Sequence, residues 1–494
     1  MPLDDTQISQ ISTGVEGLDE LLRGGFIQGR MYLVTGKSGT AKTTLGMHFL
    51  YEGLANDETV LHVHGEESAE ELITNADQFG IDIRPVEFLD LGPGSDFFTE
   101  DPSYDLVDSS DIDQERYTEV IHEAVEEIDP ERVVIDPITQ LRYLETSDYH
   151  YRKRILSFIR FLKKRGVTVL STATLGKNQN ASADIRSLSD GVVELSRVKD
   201  GRRVEVVKNR GLGQIEGDHG AEIRSEGLEV YPRIRPEPSN REFDPTPVGT
   251  GITELDEMVG GGFERGTVTF ITGPTGVGKT TLATLYLAQA TRQLGKSVIY
   301  LFEERIETFE HRCRSIGIPI DELQEEGVLS IQVIEPMALS AEEFAHKVRR
   351  EVEEEDAETI MIDGVNGYTS VIQGDEDDLD RDLHALTRYL INREVTVFIT
   401  DATHQVTGLS SATSHEVSQI ADNLIFISYV ELQSSLRKVI GVLKKRTGGF
   451  ESSFREFEIT ANGVQIGELM AEYSGILHGS PQAGAPPQRD PKTE

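Results

Sequence analysis

The feature that most constrains this chain is a long internal repeat. The segment LDELLRGGF begins at Leu18, and its counterpart LDEMVGGGF begins at Leu255, 237 residues further along. Two glycine-rich loops and two Glu-Glu pairs repeat with the same spacing of 237. A spacing this long, shared by several separate motifs, is much longer than the repeat of a solenoid protein. It predicts two homologous domains.

The two copies differ in length at one place. Asp136 and Asp363, each at the end of an apolar run, lie 227 residues apart. The first copy therefore carries about ten extra residues before Asp136. We assign them to an acidic surface loop within 92–115.

Composition indicates the domain bounds. A Pro-rich polar stretch without apolar periodicity is typical of an extended linker, and the polar, Pro-rich C-terminus is expected to be disordered. The expected division is a first domain at 1–232, a linker at 233–247, a second domain at 248–478 and a disordered tail at 479–494.

Each copy alternates short apolar runs with helical patterns. The runs TVLHVH, RVVID and VTVLSTAT in the first copy correspond to SVIYLF, TIMID and VTVFIT in the second. They are β-branched and nearly continuous, as strands buried on both faces require. The alternation predicts an α/β fold in each domain, with a mostly parallel sheet flanked by helices.

The charge balance bears on partners and compartment. The chain has 86 acidic and 48 basic residues and a formal net charge of -38. Because apolar periodicity argues against disorder, the excess either repels nucleic acid and acidic partners or forms the solvated shell of a halophilic protein, which we favour. The single cysteine, Cys313, fits a reducing cytoplasm, and no apolar stretch indicates a signal peptide or a membrane span.

Two loops have the form that binds nucleotide phosphates. Residues 273–281, GPTGVGKTT, match G-x-x-x-x-G-K-[ST] between a predicted strand and a predicted helix, where backbone N–H groups converge on phosphate. Residues 36–44, GKSGTAKTT, keep the lysine and the threonine. The expected nucleotide-binding residues are Gly36, Gly39, Lys42, Thr43 and Thr44 in the first loop and Gly273, Gly276, Gly278, Lys279, Thr280 and Thr281 in the second.

The first loop departs from the motif at Ala41, where the second has Gly278. If the backbone there has a positive φ, alanine costs about 1 kcal/mol, and if φ is negative the methyl group is nearly free. Because the lysine and the threonine are retained, we expect nucleotide binding at both sites. Slower hydrolysis and a purely structural role both remain open for the first site.

An aspartate ends the strand that is expected to lie near each loop. Asp136 and Asp363 occupy the place where a carboxylate contacts Mg²⁺, directly or through water. A turn cap is the alternative interpretation. The expected Mg²⁺ ligands are Thr43, Asp136, Thr280, Glu303 and Asp363.

A Glu-Glu pair ends the strand after each loop helix. The first pair is Glu66 and Glu67, and the second is Glu303 and Glu304. Because the pairs recur at the same spacing, we interpret them as groups that orient and deprotonate an attacking water or hydroxyl, and a solvated turn is the alternative.

Paired cations recur near the end of each copy. The pairs are Lys208 with Arg210 and Lys444 with Arg446. Residues two apart share a face of a strand. We interpret the pairs as finger groups that reach the γ-phosphate of a neighbouring subunit, which requires an oligomer, and pairing with surface carboxylates is the alternative.

This order of parts resembles the KaiC family of clock ATPases and autokinases, together with its archaeal relatives. The resemblance covers about 10–480 and rests on GLDELLRGGF, FLYEGLA, EESAEEL, ELDEMVGGGF, ISYVEL, FREFEIT and HGSP. It implies two tandem RecA-like P-loop NTPase domains with ATP and Mg²⁺, assembled as a hexamer of two stacked rings with ATP between subunits. It also implies a cytoplasmic protein that acts in signalling or timing with regulatory protein partners.

The resemblance also concerns autophosphorylation. In the family the second domain phosphorylates itself on an adjacent Ser-Thr pair, which falls here on Ser418 and Gln419. The serine position is present and the threonine position is not, so the resemblance implies a single phosphorylation site with Glu303 as the matching base. An ordinary loop role for Ser418 is the alternative.

Two other functions compete with a KaiC-like ATPase. A RecA/RadA-type DNA-dependent ATPase needs basic or aromatic channel loops. We find no clustered Lys/Arg loop, and residues 373–382 are acidic where a channel loop is expected. The other alternative is a regulatory scaffold that uses ATP only to assemble.

Overall fold

The structure is a computed structural model of the chain, whose contacts divide into two compact units, Met1–Arg233 and Ile234–Glu494. The residues that it describes are 8–92, 109–139, 148–175, 180–198, 201–236, 238, 246–373, 376–403, 420–432, 434–461, 463–471, 473–478 and 482–483.

The first unit is built on a nine-stranded sheet. Six neighbouring strands run parallel and the last three run antiparallel. From the parallel edge the strands are Glu87–Asp90, Val60–His64, Arg132–Asp136, Thr168–Thr174, Met31–Gly36, Gly191–Val198, Gly201–Asn209, His219–Arg224 and Gly227–Tyr231.

The second unit repeats this sheet strand for strand, again with six parallel and three antiparallel members. In the same order the strands are Leu329–Val333, Ser297–Leu301, Thr359–Asp363, Thr396–Thr403, Val268–Pro274, Asn423–Leu432, Ser435–Lys445, Arg455–Thr460 and Gly463–Leu469. The prediction of two homologous, mostly parallel sheets flanked by helices is confirmed.

Helices connect the parallel strands, and short two-residue strands add small ribbons at the margins. The helices are Glu16–Leu21, Lys42–Ala55, Ala69–Asp77, Ser109–Ile128, Asp148–Lys164, Asn180–Leu188, Thr253–Met258, Lys279–Leu294, Ile306–Ser315, Ile320–Glu325, Ala341–Glu353, Val365–Val371 and Glu376–Asn392, with a 3₁₀ turn at Ile476–His478. The paired short strands are Gln10–Ile11 with Phe26–Ile27, Pro247–Val248 with Phe263–Glu264, and Tyr473–Ser474 with Gln482–Ala483.

Each sheet is buried on both faces. In the strand Met31–Gly36, Leu33 belongs to the hydrophobic cluster on one face and Val34 to the cluster on the other. Phe270 and Ile271 divide in the same way in the second unit. Because successive side chains of a strand point to opposite faces, strands covered by helices on both sides need continuous apolar runs.

Two expectations for loops are wrong in part. The helix Ser109–Ile128 includes 109–115, which we had placed in the acidic loop of the first copy. The helix Glu376–Asn392 likewise covers most of the stretch interpreted as a channel loop. In both places acidic residues occupy the first turns of a helix, where its dipole favours negative charge.

The bounds of the linker and the tail stay predictions. Ile234, at the start of the expected linker, packs against the core of the second unit. Gln482–Ala483, inside the expected tail, pairs with Tyr473–Ser474, which precedes the tail. The other residues of the expected tail lie outside those described. In the described ranges, we find no helix with the length and apolar character that a membrane crossing requires.

Two of the buried histidines of the first unit, His48 and His62, have strongly lowered pKa values. His48 accepts a hydrogen bond from the backbone N–H of Leu228 (2.9 Å), and burial lowers its pKa to about 4. Burial lowers the pKa of His62 to about 3. The corresponding residues of the second unit are Leu285 and Ile299.

Replacing these histidines is expected to make the first unit less sensitive to acid. The unfolded chain binds their protons near pH 6.5 and the folded chain does not, so stability present above pH 6.5 is lost as the pH falls towards 4. Between pH 7.5 and pH 5 each histidine lowers the free energy of unfolding of the first unit by about 2 kcal/mol. In the variants His48→Leu and His62→Ile, hydrogen exchange should show that the free energy of unfolding falls less between pH 7.5 and pH 5 than it does in the parent chain.

The matched control is His311→Leu, which changes an exposed histidine of the second unit. It should leave the acid sensitivity of the first unit as it is. An equal acid response in the parent chain and in both buried-site variants would contradict the assignment.

Candidate active site

The carboxyl ends of the central parallel strands bring the expected site residues to one edge of each sheet. In the second unit, the strand Val268–Pro274 leads into the phosphate loop and lies beside Thr396–Thr403. That strand pairs with Thr359–Asp363, which in turn pairs with Ser297–Leu301, just before Glu303. The first unit has the same arrangement, so each sheet carries one candidate site.

The entry to each phosphate loop needs a glycine because a neighbouring strand lies very close. A Cβ added at Gly273 would lie 2.0 Å from the carbonyl oxygen of Ile427, and one at Gly36 would lie 2.4 Å from that of Leu195. No side chain fits at such distances, and the loop can therefore pass directly over the sheet edge.

The loop lysines are buried and held alike in both units. Lys42 Nζ donates to the carbonyl oxygen of Lys37 (2.9 Å), and Lys279 Nζ donates to that of Pro274 (3.0 Å). Burial lowers the pKa of both lysines, against the opposing effect of carboxylates, chiefly Asp136 and Asp363. An ammonium group with little water around it gains strongly from a bound polyanion, as a phosphate site requires.

The question raised by Ala41 has a structural answer. Ala41 precedes the helix Lys42–Ala55 with φ 78°, and Gly278 precedes the helix Lys279–Leu294 with φ 118°. Both residues are in the left-handed region, so the alanine is strained by about 1 kcal/mol relative to glycine. The first loop nevertheless keeps the geometry of the second.

A second substitution makes room for the methyl group of Ala41. A Cβ at Gly278 would lie 3.1 Å from Phe457 and 2.5 Å from Ile459. The hairpin register places Ala221 in the first unit at the position of Phe457, and Ala41 and Ala221 belong to the same hydrophobic cluster. The isoleucine is retained as Ile223, so the change from Phe457 to Ala221 removes one of the two side chains that a methyl group at this position would meet.

The strand-end aspartates are tied to hydroxyl groups. Thr280 and Thr400 donate to the same oxygen of Asp363, at 2.9 Å and 2.8 Å. Burial raises the pKa of Asp363 to about 6, and these two hydrogen bonds work in the opposite direction. In the first unit Thr172 donates to Asp136.

A hydroxyl beside a carboxylate is an oxygen donor set of the kind that Mg²⁺ uses. Across the described residues, no cluster of three or more His, Cys, Asp or Glu is arranged to hold a metal ion. Mg²⁺ is commonly bound by one or two carboxylates, with substrate phosphates and water completing its shell. Thr280 and Asp363 therefore fit a metal that arrives with a nucleotide.

The two glutamates of each pair differ in their surroundings. Glu303 is exposed, whereas Glu304 accepts a hydrogen bond from Arg312 Nη1 at 2.7 Å. In the first unit Asn75 takes the place of Arg312 and donates to Glu67 at 3.3 Å. The second glutamate of each pair thus contacts the following helix. In the second unit the contact is an ion pair, and in the first it is a hydrogen bond from a neutral amide.

The pKa of Glu67 is raised, although the hydrogen bond from Asn75 acts in the opposite direction. Burial raises the pKa of Glu67, and the nearby charge of Asp136 adds to this effect. The effect of the neighbouring Glu66 is in the same direction, but it is smaller than that of burial.

The cation pair of the first unit contacts its own chain. Lys208 Nζ donates to the carbonyl oxygens of Arg186, Ser187 and Ser189, at the end of the helix Asn180–Leu188. Arg210 donates to the carbonyl of Ser187 as well, at 3.0 Å. Both cations therefore lie on one side, as their spacing predicts, and they bind the negative end of a helix dipole.

The corresponding pair of the second unit has the same burial, with a partly buried lysine and an exposed arginine. Arg446 forms an ion pair with Asp422 at 3.0 Å and remains about half exposed. Burial lowers the pKa of Lys444, and the charge of Arg446 adds to this. Ser418 lies outside the described residues.

Sequence reasoning missed several site residues. These are Asn75, Thr172, Ala221, Arg312, Thr400, Asp401 and Phe457. Each one is found by extending the comparison of the two copies past the motifs. Arg312, for example, lies 237 residues after Asn75, the spacing that relates the Glu-Glu pairs.

Comparison with known proteins identifies the family. Residues 11–235 and 248–471 each match the family model described as "ATPase: KaiC". The chain belongs to the KaiC family of ATPases.

Whole-length relatives agree with this assignment. The circadian clock oscillator protein KaiC of Rippkaea orientalis is 30% identical over 492 residues, and that of Thermostichus vulcanus is 30% identical over 493. The KaiC of Acaryochloris marina is 29% identical over 493 residues. Each alignment covers 96% of this chain and 92% of the relative, so the similarity extends over both units.

The substitution Ala41→Gly is expected to stabilise the first domain by about 1 kcal/mol, because it relieves a left-handed alanine at the start of a helix. The matched control is Ala55→Gly, which changes an exposed alanine in the last turn of the same helix and should cost about 0.5–1 kcal/mol. Hydrogen exchange across the helix Lys42–Ala55 measures both. Destabilisation by Ala41→Gly would contradict the strain assignment.

The substitution Arg312→Asn is expected to destabilise the second domain by about 1–2 kcal/mol, because Glu304 loses its charged partner in a half-buried position. Denaturant unfolding followed by hydrogen exchange of the second domain measures the change. Arg314→Asn changes another arginine of the same helix, which forms exposed ion pairs with Glu310 and with Asp321 of the next helix, and it should cost less. Equal losses in the two variants would show that the Glu304 contact has no special weight.

Proposed function

We propose that this protein is a Mg²⁺-dependent KaiC-type ATPase with two nucleotide sites, in which the second domain also phosphorylates its own chain. The observation that carries the proposal is the convergence of Lys279, Thr280, Asp363 and Glu303 at one sheet edge, with the same arrangement in the first domain. This set combines phosphate binding, metal binding and a carboxylate base in one place.

The residues divide the work of hydrolysis as follows. Lys279 and the backbone N–H groups of 273–281 bind the β- and γ-phosphates and offset charge that develops on them. Thr280 and Asp363 would hold Mg²⁺, which would supply positive charge to neutralise the phosphates. Glu303 orients a water molecule and accepts its proton as the water oxygen bonds to the γ-phosphorus, and the bond to the β-γ bridging oxygen breaks to leave ADP and phosphate.

Glu303 suits the role of base better than Glu304. It is exposed at the strand end, whereas Glu304 is held by Arg312. A carboxylate already engaged with a guanidinium must break that contact before it can orient an attacking water. Glu66 and Glu67 take the matching roles in the first domain.

Autophosphorylation uses the same base with a different attacker. A serine hydroxyl oxygen bonds to the γ-phosphorus in place of water, its proton passes to Glu303, and ADP leaves. The resemblance to the family motif supports Ser418 as the acceptor, with no threonine beside it.

The assembly that we propose is a hexamer in the cytoplasm with ATP between subunits. Membership of the KaiC family supports it, and the exposed Arg446 is suited to reach a neighbouring nucleotide. Lys208 and Arg210 act from the helix end that they bind, so they would set the position of that helix at the interface. The relatives are named as circadian clock proteins, which supports a role in timing or signalling with regulatory protein partners.

Phosphate release from Mg-ATP in molar salt tests the function. Lys279→Ala should abolish the second-site activity, and Glu303→Gln should lower it by about 100-fold or more, the usual contribution of a general base. Glu304→Gln is the matched control and should lower it less than tenfold. γ-Labelled ATP should label Ser418 and should not label the Ser418→Ala variant.

Other outcomes would favour other functions. A manyfold rise in rate with DNA would support a RecA/RadA-type ATPase. ATP-dependent assembly without phosphate release would support a scaffold. A particle that stays monomeric with ATP, measured by light scattering, would contradict fingers that act between subunits.

A further inference from the structure

A buried carboxylate distinguishes the second site from the first. Asp401 is fully buried in the strand Thr396–Thr403, one residue after Thr400. The first domain has Ala173 at this position, one residue after Thr172, and it is equally buried. Because Thr172 and Thr400 make the same hydrogen bond to the strand-end aspartate, the two positions are equivalent.

Asp401 lies next to the entry of the phosphate loop. In the parallel register it is the partner of Thr272, the residue before Gly273. The charge of Asp401 acts on Lys279 together with those of Asp363 and Glu303, whereas Lys42 in the first domain faces Asp136 and Glu66. The second loop lysine therefore has one more carboxylate near it than the first.

Arg312 is a further charged group that differs between the sites. Arg312 pairs with Glu304 and sits beside Asp363, where the first domain has the neutral Asn75. Arg312 thus offsets a carboxylate next to the attacking group, and Asp401 adds one next to the phosphate-binding lysine. The total charge of the two sites is similar, but its distribution is different.

We propose that Asp401 makes nucleotide binding at the second site depend more steeply on a divalent cation than binding at the first. Uncomplexed ATP carries more negative charge than its Mg²⁺ complex. A negative charge buried beside the loop is weakly screened and disfavours the uncomplexed form most. This inference rests on the proposed function, because it requires that both sites bind adenine nucleotide.

The test compares the affinity of a fluorescent ATP analogue with Mg²⁺ and with EDTA at each site separately. The second site is isolated by Lys42→Ala and the first by Lys279→Ala, both in the full chain. The ratio of the EDTA to the Mg²⁺ dissociation constant should be about tenfold larger at the second site than at the first. Asp401→Asn should lower that ratio towards the value of the first site.

The exchange in the other direction is Ala173→Asp, which should raise the ratio at the first site. Asp256→Asn is the matched control, since Asp256 binds the backbone N–H of Thr250 and not the loop lysine. Circular dichroism shows that each variant is folded, and the near-isosteric Asp401→Asn decides the question if Ala173→Asp is unfolded.

The outcomes separate the two proposals. An unchanged ratio in folded Asp401→Asn overturns the inference and leaves the ATPase proposal standing. A lowered ratio, with affinity in Mg²⁺ little changed, supports it. Failure of the parent chain to bind the analogue in either condition overturns the proposed function and this inference with it.

Discussion

In-register hydrogen bonding of the central parallel strands is the constraint on which both sites depend. Val268–Pro274 pairs with a parallel strand on each side, so the register fixes which backbone groups lie beside its carboxyl end. The loop that follows can pass over the sheet only because Gly273 allows Ile427 to approach. Lysine, metal ligands and glutamates come together because their strands end at one edge.

Two of the differences between the sites involve pairs of residues in contact. Ala41 occurs with Ala221, and Gly278 occurs with Phe457. The neutral contact between Glu67 and Asn75 becomes an ion pair between Glu304 and Arg312. In both cases the residue and the side chain that touches it have changed together. The two domains therefore keep the same backbone, while the charges around their sites differ.

Much of the fold followed from sequence because its signals are local. Near-continuous β-branched runs that end in Asp136 and Asp363 identify buried parallel strands, and the loops before Lys42 and Lys279 carry a motif whose spacing is fixed by phosphate. The acidic stretches at 109–115 and 376–382 were misplaced because the same composition suits a solvated loop and the first turns of a helix.

By itself the sequence determined the duplication and the α/β class, and it supplied the candidate phosphate-binding and acidic residues, because spacing and residue type are properties of the chain alone. Only the tertiary structure decided which glutamate is held by a helix, that Ala41 takes a left-handed conformation, and that Asp401 lies beside the loop of Lys279. These facts depend on strand register, backbone torsion and contacts between distant segments. None of them is encoded by the local pattern in which the residue occurs.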